Sequence, residues 1–317
     1  MDITPSSLAA FFQNLRRDYQ AGYTSAPTFY SQVSTTIPSS SEQNIYGWMD
    51  FLPQLREWIG ERTVRNVVSR SMTATNKLFE LTVEVPRTKL EDDQYGLYSP
   101  TAQMAGREAA IWPDRQIADA IINGGSTTYN GNPTSFDGVA FFSNAHPKDP
   151  SGVLSGTQSN DFSLALSAAN YPTVLAAAKS YVGRDNIPLG SFMTGRPVMM
   201  VGPTLEKTAL DIVASNFLSP IAAWGGAAAA APSTNTFMGT ATVLVNPYIT
   251  STTAWYLIDT SMPIRPFIWQ LRQGPQFTQR FAETDENVFT RDQYQYGVRA
   301  RGVATYGLWW MCVRGNS

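Results

Sequence analysis

The pattern of apolar and polar positions changes its period along the chain, which predicts both helices and strands. Apolar residues recur at helical spacing over residues 4–22, where Thr4 and Pro5 favour a helix start. Apolar and polar residues alternate strictly over residues 79–85, as in a half-buried strand. With the β-prone stretch before it, this strand predicts one long two-stranded hairpin over residues 62–87. An isolated hairpin is marginally stable, so it must pack on its own domain or on a neighbouring subunit.

The remaining segments predict a mixed architecture. Residues 23–44 are rich in Ser, Thr and Pro and have no period, which is typical of an extended arm or linker. A helical pattern over residues 91–123 contains Pro113, which should kink or break the helix. A short helix is predicted at 50–60 and a low-complexity surface loop at 222–236. Because strands and helices mix without a βαβ repeat, the fold class predicted is α+β.

The composition describes a globular chain with little net charge. Of 317 residues, 43% are hydrophobic and 15% are charged, which excludes global disorder and suggests about two domains. The 23 Lys and Arg residues nearly balance the 25 Asp and Glu residues, so the chain is not a basic nucleic-acid-binding protein. Aromatic residues reach 12%, which indicates either an aromatic core or a surface covered by other copies.

Signals for secretion and for membrane insertion are missing from the pattern. The N-terminus does not combine a basic start with an apolar stretch, so no signal peptide is expected. No apolar run approaches the roughly 18 residues of a membrane span. We therefore expect a protein made in the reducing cytoplasm that has no membrane partner.

Signatures of catalysis are scarce. The sequence has no phosphate loop, no dinucleotide-binding motif and no nucleophile elbow, and one Cys with one His cannot build a zinc site. His146 lies in a polar turn, where a structural role explains it better than a hydrolytic one. Cys312 lies in an apolar strand and is predicted to be a buried thiol. We expect no catalytic residue, no cofactor and no metal ion.

Several separated motifs, in their order along the chain, resemble the major head (capsid) subunit of bacteriophage Mu and Mu-like prophages. The motifs are FLPQLREWIGER at 51–62, NKLFE at 76–80, VPR at 85–87, LEDDQYG at 90–96, FDGVAFFS at 136–143 with His146-Pro147, YGVRARG at 296–302 and YGLW at 306–309. The resemblance spans about residues 45–312, and it departs from the family in the segments 23–44 and 222–236.

The resemblance implies the Hong Kong 97-type capsid fold, whose parts can be assigned to ranges of this sequence. They are an N-terminal arm with helices at 1–60, a hairpin called the E-loop at 61–88, a peripheral domain at 89–159 and 253–317 with a spine helix at about 91–123, and an axial domain at 160–252. The implied function is assembly into hexamers and pentamers that close an icosahedral head around the genome. The implied partners are other copies of the chain, the portal, a scaffold, decoration proteins and packaged double-stranded DNA, bound without sequence specificity.

The same resemblance gives candidates for contacts between subunits. These candidates are Lys77, Phe79, Glu80 and Arg87 near the predicted hairpin, and Arg299 and Arg301 near the C-terminus. The two arginines share one face of a strand, where they can meet a phosphate, a carboxylate or a partner's acidic residue. In the namesake of the fold an E-loop lysine forms a covalent crosslink, and Lys77 would take that place at the predicted tip. Such a crosslink is not expected in a Mu-like shell.

Three alternatives stay open at this point. An encapsulin-like compartment would have the same fold and would hold enzyme cargo instead of DNA. A hydrolase using His146 belongs to a different functional class. Another virion component, such as a tail tube or decoration protein, would differ in its copy number in the particle.

Overall fold

The structure, a computed structural model, describes residues 4–49, 69–92, 96, 98–149, 154–183, 186, 188–192, 195–218 and 233–317. The helices are α1 Pro5–Ser25, α2 Tyr30–Val33, α3 Arg87–Glu91, α4 Tyr98–Asn123, α5 Asn170–Lys179, α6 Glu206–Val213 and α7 Glu286–Arg291. Short 3₁₀ turns span Pro203–Leu205 and Trp309–Met311.

Strands form two larger sheets and several short ribbons. They are β1 Ser34–Pro38, β2 Gln43–Met49, β3 Ser69–Thr75, β4 Lys77–Pro86, β5 Thr128–Tyr129, β6 Asn132–Pro133, β7 His146–Pro147, β8 Thr157–Gln158, β9 Asp161–Phe162, β10 Val198–Val201, β11 Phe217–Leu218, β12 Ser233–Thr234, β13 Thr242–Val245, β14 Trp255–Ile258, β15 Phe267–Arg280, β16 Gln293–Tyr306 and β17 Cys312–Gly315. The four-stranded sheet has the order β1-β15-β16-β4, and the five-stranded sheet has the order β13-β10-β14-β17-β9. The predicted α+β class is confirmed.

The pairing predicted for the hairpin over 62–87 is wrong. β3 pairs antiparallel with β2, whereas β4 pairs with β16 in another sheet. The junction between them is Asn76, whose buried side chain donates hydrogen bonds to Ser39 Oγ and to the Ser41 carbonyl, each at 2.9 Å. Alternation along β4 shows that the strand has two different faces, but it does not identify the strand's partner. The start of the predicted hairpin, residues 62–68, lies outside the described residues.

The segment 23–44, predicted as an arm or linker, is instead structured against the body of the chain. α1 continues to Ser25, and β1 pairs in parallel with β15 from Ser34 opposite Phe267 onward. Between them, the Asp114 carboxylate accepts the backbone N–H groups of Phe29 and Tyr30 at 3.0 and 2.7 Å. A strand of five residues is too short for its alternation to be recognised in a Ser/Thr-rich sequence.

The long helix α4 is the main support of the four-stranded sheet. It runs without interruption through Pro113, so the helix does not break there, and it begins later than the predicted range 91–123. Contacts of α1 with α4 advance in the same direction on both helices, from Asp18 with Ser99 to Gly22 with Gln103, so the two helices run parallel.

Glycines allow α1 and α4 to approach closely. A Cβ atom on Gly22 would lie 2.0 Å from the Gln103 carbonyl oxygen, and one on Gly106 would lie 2.0 Å from the Tyr19 carbonyl oxygen. Gly22 is therefore a contact glycine inside the helix and not the predicted helix stop. The N-terminal start is confirmed, because the Thr4 side chain accepts the Ser7 backbone N–H and forms a capping box.

Large aromatic side chains fill the core, which supports the core explanation of the aromatic content. Residues buried to below 2% exposure include Trp255, Trp269, Trp309, Tyr171, Tyr294, Tyr296, Tyr306, Phe12, Phe141 and Phe267. The apolar run Val139 to Phe142 favours a short strand, but that prediction is wrong, because the structure has no strand there. Phe141 and Phe142 are nevertheless buried, as their apolar character requires. Among the described residues, no helix combines the length and apolarity needed to cross a lipid bilayer.

The five-stranded sheet crosses a boundary that we predicted between domains. β10 and β13 come from the predicted axial range 160–252, but β14 and β17 come from the range 253–317. The helix predicted at 50–60 and most of the loop predicted at 222–236 lie outside the described residues.

Candidate functional site

His146, the candidate catalytic residue, is enclosed in a polar network inside the core. Its side chain is 0% exposed, and its Nδ1 lies 2.7 Å from Asp137 Oδ2, which is equally buried. Its Nε2 lies 3.1 Å from the Phe141 carbonyl and 3.2 Å from Asn160 Oδ1. The imidazole also stacks on the Trp309 ring at 4.0 Å and 5°. No substrate can reach a ring that is covered in this way.

Asn160 fixes the hydrogen-bonding roles in this network. Its Nδ2 donates to the carbonyls of Phe141, Trp309 and Cys312 at 2.8, 3.2 and 3.1 Å, so its Oδ1 is an acceptor. Both ring nitrogens of His146 consequently face acceptor atoms. The group connects His146 to the Asp137 carboxylate and joins the 137–146 loop to the C-terminal strand.

The environment of Asp137 sets its ionisation. Burial alone would raise its pKa, but the hydrogen bond and charge of His146 outweigh burial, with the help of Ser135 and the Val139 N–H. The pKa of Asp137 is therefore held below its ordinary value. These contacts support a structural role for His146, as the sequence indicated.

Metal and thiol chemistry find no support in the described part of the chain. Burial raises the pKa of the Cys312 thiol well above its ordinary value, which keeps the sulfur protonated and unreactive. Within the described ranges, no three His, Cys, Asp or Glu side chains come together as a metal ion would require.

Three of the predicted contact residues, Glu80 of β4 and Arg299 and Arg301 of β16, share the outer face of the four-stranded sheet. In the strand register, Arg299 lies opposite both Glu80 and Gln276, and Arg301 lies opposite Leu78. Glu80 accepts a hydrogen bond from Thr82 Oγ1 at 2.6 Å. Across the described ranges, neither arginine has an ion pair or a side-chain hydrogen bond, so both guanidinium groups are available to a partner.

Lys77 is not at a hairpin tip, and that prediction is wrong. It begins β4 beside the junction Asn76, and its Nζ donates to Asn130 Oδ1 at 2.6 Å. Asn130 is the first residue of the Asn-Gly turn between β5 and β6, where its φ is 55°. The amine is thus bound within its own subunit.

Arg87 and Phe79 also have contacts within the chain. The Arg87 backbone N–H donates to the Asp292 carbonyl at 3.0 Å, which holds the start of α3 against the end of α7. Phe79 points to the inner face of the sheet, where its ring centroid lies 5.0 Å from that of Trp112.

Beside Phe79 lies an apolar groove between the sheet and α4. We call it the aromatic groove, and its walls are Phe79, Leu81, Ala109, Trp112, Val298 and Ala300. Its volume is about 230 Å³, and Glu80, Glu108 and Arg115 stand around it. The Trp112 indole N–H is buried and has no partner in the described part of the chain.

Sequence reasoning missed two features of this surface. The groove is built by residues from four separate elements, β4, α4, β15 and β16, so no local motif could reveal it. Phe289 on α7 is 86% exposed, the highest value among the large hydrophobic side chains described. The apolar run from residue 288 to 313 favours strands, so neither the helix α7 nor the exposure of Phe289 was expected.

Comparisons with known proteins agree with the motif-level resemblance. A family model described as Mu-like prophage major head subunit gpT matches residues 8–165 and 249–317. The major capsid protein of Escherichia phage Mu is 26% identical over 313 residues, covering 99% of this chain and 74% of that protein. The Mu-like prophage FluMu major head subunit of Haemophilus influenzae is 26% identical over 310 residues, covering 98% of this chain and 73% of that protein.

A solved structure extends the similarity to the fold. A chain of the procapsid of bacteriophage JBD30 aligns with a TM-score of 0.60 and 29% sequence identity. The alignment covers 99% of this chain and 76% of the procapsid chain. The α+β arrangement is therefore that of a Hong Kong 97-like capsid protein.

Proposed function

Because this chain belongs to the family of Mu-like prophage major head subunits, we infer that it is the major capsid protein of a tailed phage, located in the virion. It is a structural protein and not an enzyme. The observation that carries this conclusion is the family match over 8–165 and 249–317, on both sides of the unmatched segment. Its function is assembly: many copies associate into a closed icosahedral shell.

The parts of the fold have proposed roles in assembly. The four-stranded sheet with α1 and α4 corresponds to the peripheral domain, and α4 is its spine helix. The five-stranded sheet with α5 and α6 corresponds to the axial domain. The E-loop is best assigned to the β2–β3 ribbon and the residues between those strands, which replaces the range 61–88.

Weak contacts repeated over many copies give the shell its stability, so no single interface has to be strong. The outer-face residues Arg299, Arg301 and Glu80 are proposed to form such contacts, because both arginines lack ion-pair partners among the described residues. Packaged DNA is a partner without sequence specificity, and the net charge of −2 suits a container that does not bind the genome tightly. Portal, scaffold and decoration proteins are further proposed partners.

Electron microscopy of the protein, expressed alone and then with its genomic neighbours, tests the assignment. We expect uniform closed shells or rings of five and six subunits. A chain that remains a 34.8 kDa monomer in sedimentation under both conditions would contradict a capsid function. Particles that contain enzyme cargo instead of DNA would favour the encapsulin-like alternative.

Boiling purified particles in SDS tests for a covalent crosslink at Lys77, which the resemblance to the capsid family suggested. We expect a single monomer band, because Lys77 donates to Asn130 of its own subunit and does not occupy a hairpin tip. A ladder of covalent multimers would show that an isopeptide bond forms.

A further inference from the structure

The aromatic groove is incomplete in the isolated chain. It offers about 230 Å³ between apolar walls, and a dry apolar cavity of about 150 Å³ is enough to hold a benzene ring. The buried Trp112 N–H near it has no acceptor among the described residues, and a buried donor without an acceptor is unfavourable. The groove therefore has room for an aromatic side chain, and a segment that brings an oxygen acceptor would complete it.

The chain also has a large aromatic side chain that is almost fully exposed. Phe289 is on α7, the short helix that joins β15 to β16, and 86% of its surface is exposed. Thr290, directly after it, provides a hydroxyl oxygen. Single exposed apolar residues are common, so the exposure acquires meaning only together with a groove of matching size and chemistry.

Phe289 does not reach the groove of its own subunit. The groove wall at Val298 is five residues along β16 from its first residue Gln293, which is roughly 17 Å at 3.4 Å per residue. The ring would have to be buried if it filled this groove, and it is not. Among the described residues of the same subunit, none fills the groove.

We propose that Phe289 of one subunit inserts into the aromatic groove of a second copy of this chain, next to Phe79 and Trp112. The inference rests on the proposed function, because it names one contact by which the copies associate. The charges of the two surfaces are complementary at one point: Arg291 follows Phe289 on α7, and the acidic Glu80 stands at the groove. The other two charged residues of the groove, Glu108 and Arg115, already form an ion pair with each other.

Phe289 and the aromatic groove lie at different places on one subunit, so a contact between them joins two copies head to tail. Such a heterologous contact forms a closed ring when its rotation closes, and an open filament when it does not. The proposed contact thus belongs to the kind of interface from which rings of five or six identical subunits are built.

Engineered cysteines test the contact directly. Leu81 lines the groove and is 38% exposed, so the double variant Phe289→Cys/Leu81→Cys places two thiols at the proposed interface. The native Cys312 is buried and does not interfere. After mild oxidation of assembled protein, we expect a ladder at multiples of the 34.8 kDa subunit in non-reducing SDS gels.

A control variant uses Met104 in place of Leu81. Met104 is 68% exposed on α4, the helix that forms one wall of the groove, but it does not line the groove. Phe289→Cys/Met104→Cys should give no ladder. A monomer band for the groove pair, or an equal ladder for the control pair, would overturn the contact. A ladder from Trp58→Cys/Leu81→Cys, with none from the Phe289 pair, would assign the groove to the 50–68 segment and equally overturn it.

Substitution of Phe289 provides a second measurement. Phe289→Ala should lower the yield of assembled particles roughly tenfold or more without altering the fold, and Phe289→Leu should retain most of the yield. Unchanged yield for Phe289→Ala would overturn the proposal. Shells that form normally in that case would leave the proposed capsid function intact, whereas a wild-type chain that never assembles would contradict both.

Discussion

At the scale of single residues, a few buried polar side chains hold the backbone where secondary structure is missing. Asn160 alone donates to three carbonyls, and His146 connects Asp137 to the same group. The loop between α4 and α5 has only two-residue strands, so these side chains replace the hydrogen bonds that a sheet would provide. The single His of the chain is thus used for structure and not for catalysis.

His146→Ala is expected to destabilise the unassembled subunit by about 3–5 kcal/mol, because it leaves the buried Asp137 carboxylate without its ionic partner. Urea unfolding followed by Trp fluorescence measures the change. Arg17→Ala, at a side chain that is 77% exposed, is the control and should shift stability by less than about 0.5 kcal/mol. Equal midpoints for the two variants would contradict the structural role.

The pH dependence of Asp137 follows from its lowered pKa. A carboxyl whose pKa is lower in the folded state stabilises the fold above its ordinary pKa of about 3.9, and this contribution is lost as the pH falls through the folded value. The stability difference between wild type and Asp137→Asn should therefore be smaller at about pH 3 than at about pH 5. Asp114, whose pKa is raised chiefly by burial, acts in the opposite direction but equally in both proteins. A difference that grows in acid would disprove this account.

At the scale of elements, the N-terminal segment is joined to the body by two different devices. α1 crosses α4 at a distance that only glycine permits at Gly22 and Gly106. Beyond α1, Asp114 takes the place of an N-cap for α2, because that helix has no capping side chain of its own. Both devices use residues of α4, so this helix organises the segments that the sequence suggested were loose.

Gly106→Ala should destabilise the subunit by about 1–3 kcal/mol, because the new methyl group would meet the Tyr19 carbonyl and push the helices apart. In an open helix the same change would stabilise by about 1 kcal/mol, so the sign distinguishes the two situations. Gly47→Ala, where a Cβ would meet nothing within 4 Å, is the control in urea unfolding. A stabilised Gly106→Ala variant would rule out close packing.

Asp114→Ala should expose the amides of Phe29 and Tyr30 to faster hydrogen exchange, by roughly tenfold to a hundredfold, since each loses its acceptor. Asp114→Asn retains a carbonyl oxygen and should show a smaller effect. Unchanged protection in Asp114→Ala would mean that the carboxylate does not hold this segment.

At the scale of the whole molecule, the proposed intersubunit segment 50–68 follows β2 and precedes β3 in the chain. The ribbon of β2 and β3 packs on the folded body through the buried Met72 and through the Tyr46 hydroxyl, which donates to Gln270 Oε1 at 2.7 Å. β2 and β3 pair only with each other, and neither is a strand of the four-stranded or the five-stranded sheet. A change confined to the end of the ribbon should therefore leave the body folded.

Replacing residues 50–68 by Asn-Gly tests the proposed E-loop. Met49 and Ser69 face each other in the ribbon, so a two-residue turn can join them without changing the register. We expect an unchanged unfolding transition of the subunit and no closed shells by electron microscopy. Normal shells from this variant would contradict the assembly role of the segment.

Local patterns determined a large part of the secondary structure. The capped helix at the N-terminus, the alternating strand β4 and the burial of Cys312 all follow from residue spacing and chemistry. Motif order was also sufficient to indicate the capsid family. These features depend on interactions between near neighbours in the chain, which a sequence displays directly.

Only the tertiary structure decided which elements meet. β4 pairs with β16, which is more than 200 residues away in the chain, and β1 pairs with β15. The aromatic groove likewise combines the distant residues Phe79, Trp112 and Val298. Strand pairing depends on hydrogen bonds that any backbone can make, so the side-chain pattern leaves the partner open. The sequence by itself determined the family and the two-faced elements, while the placement of every contact surface required the fold.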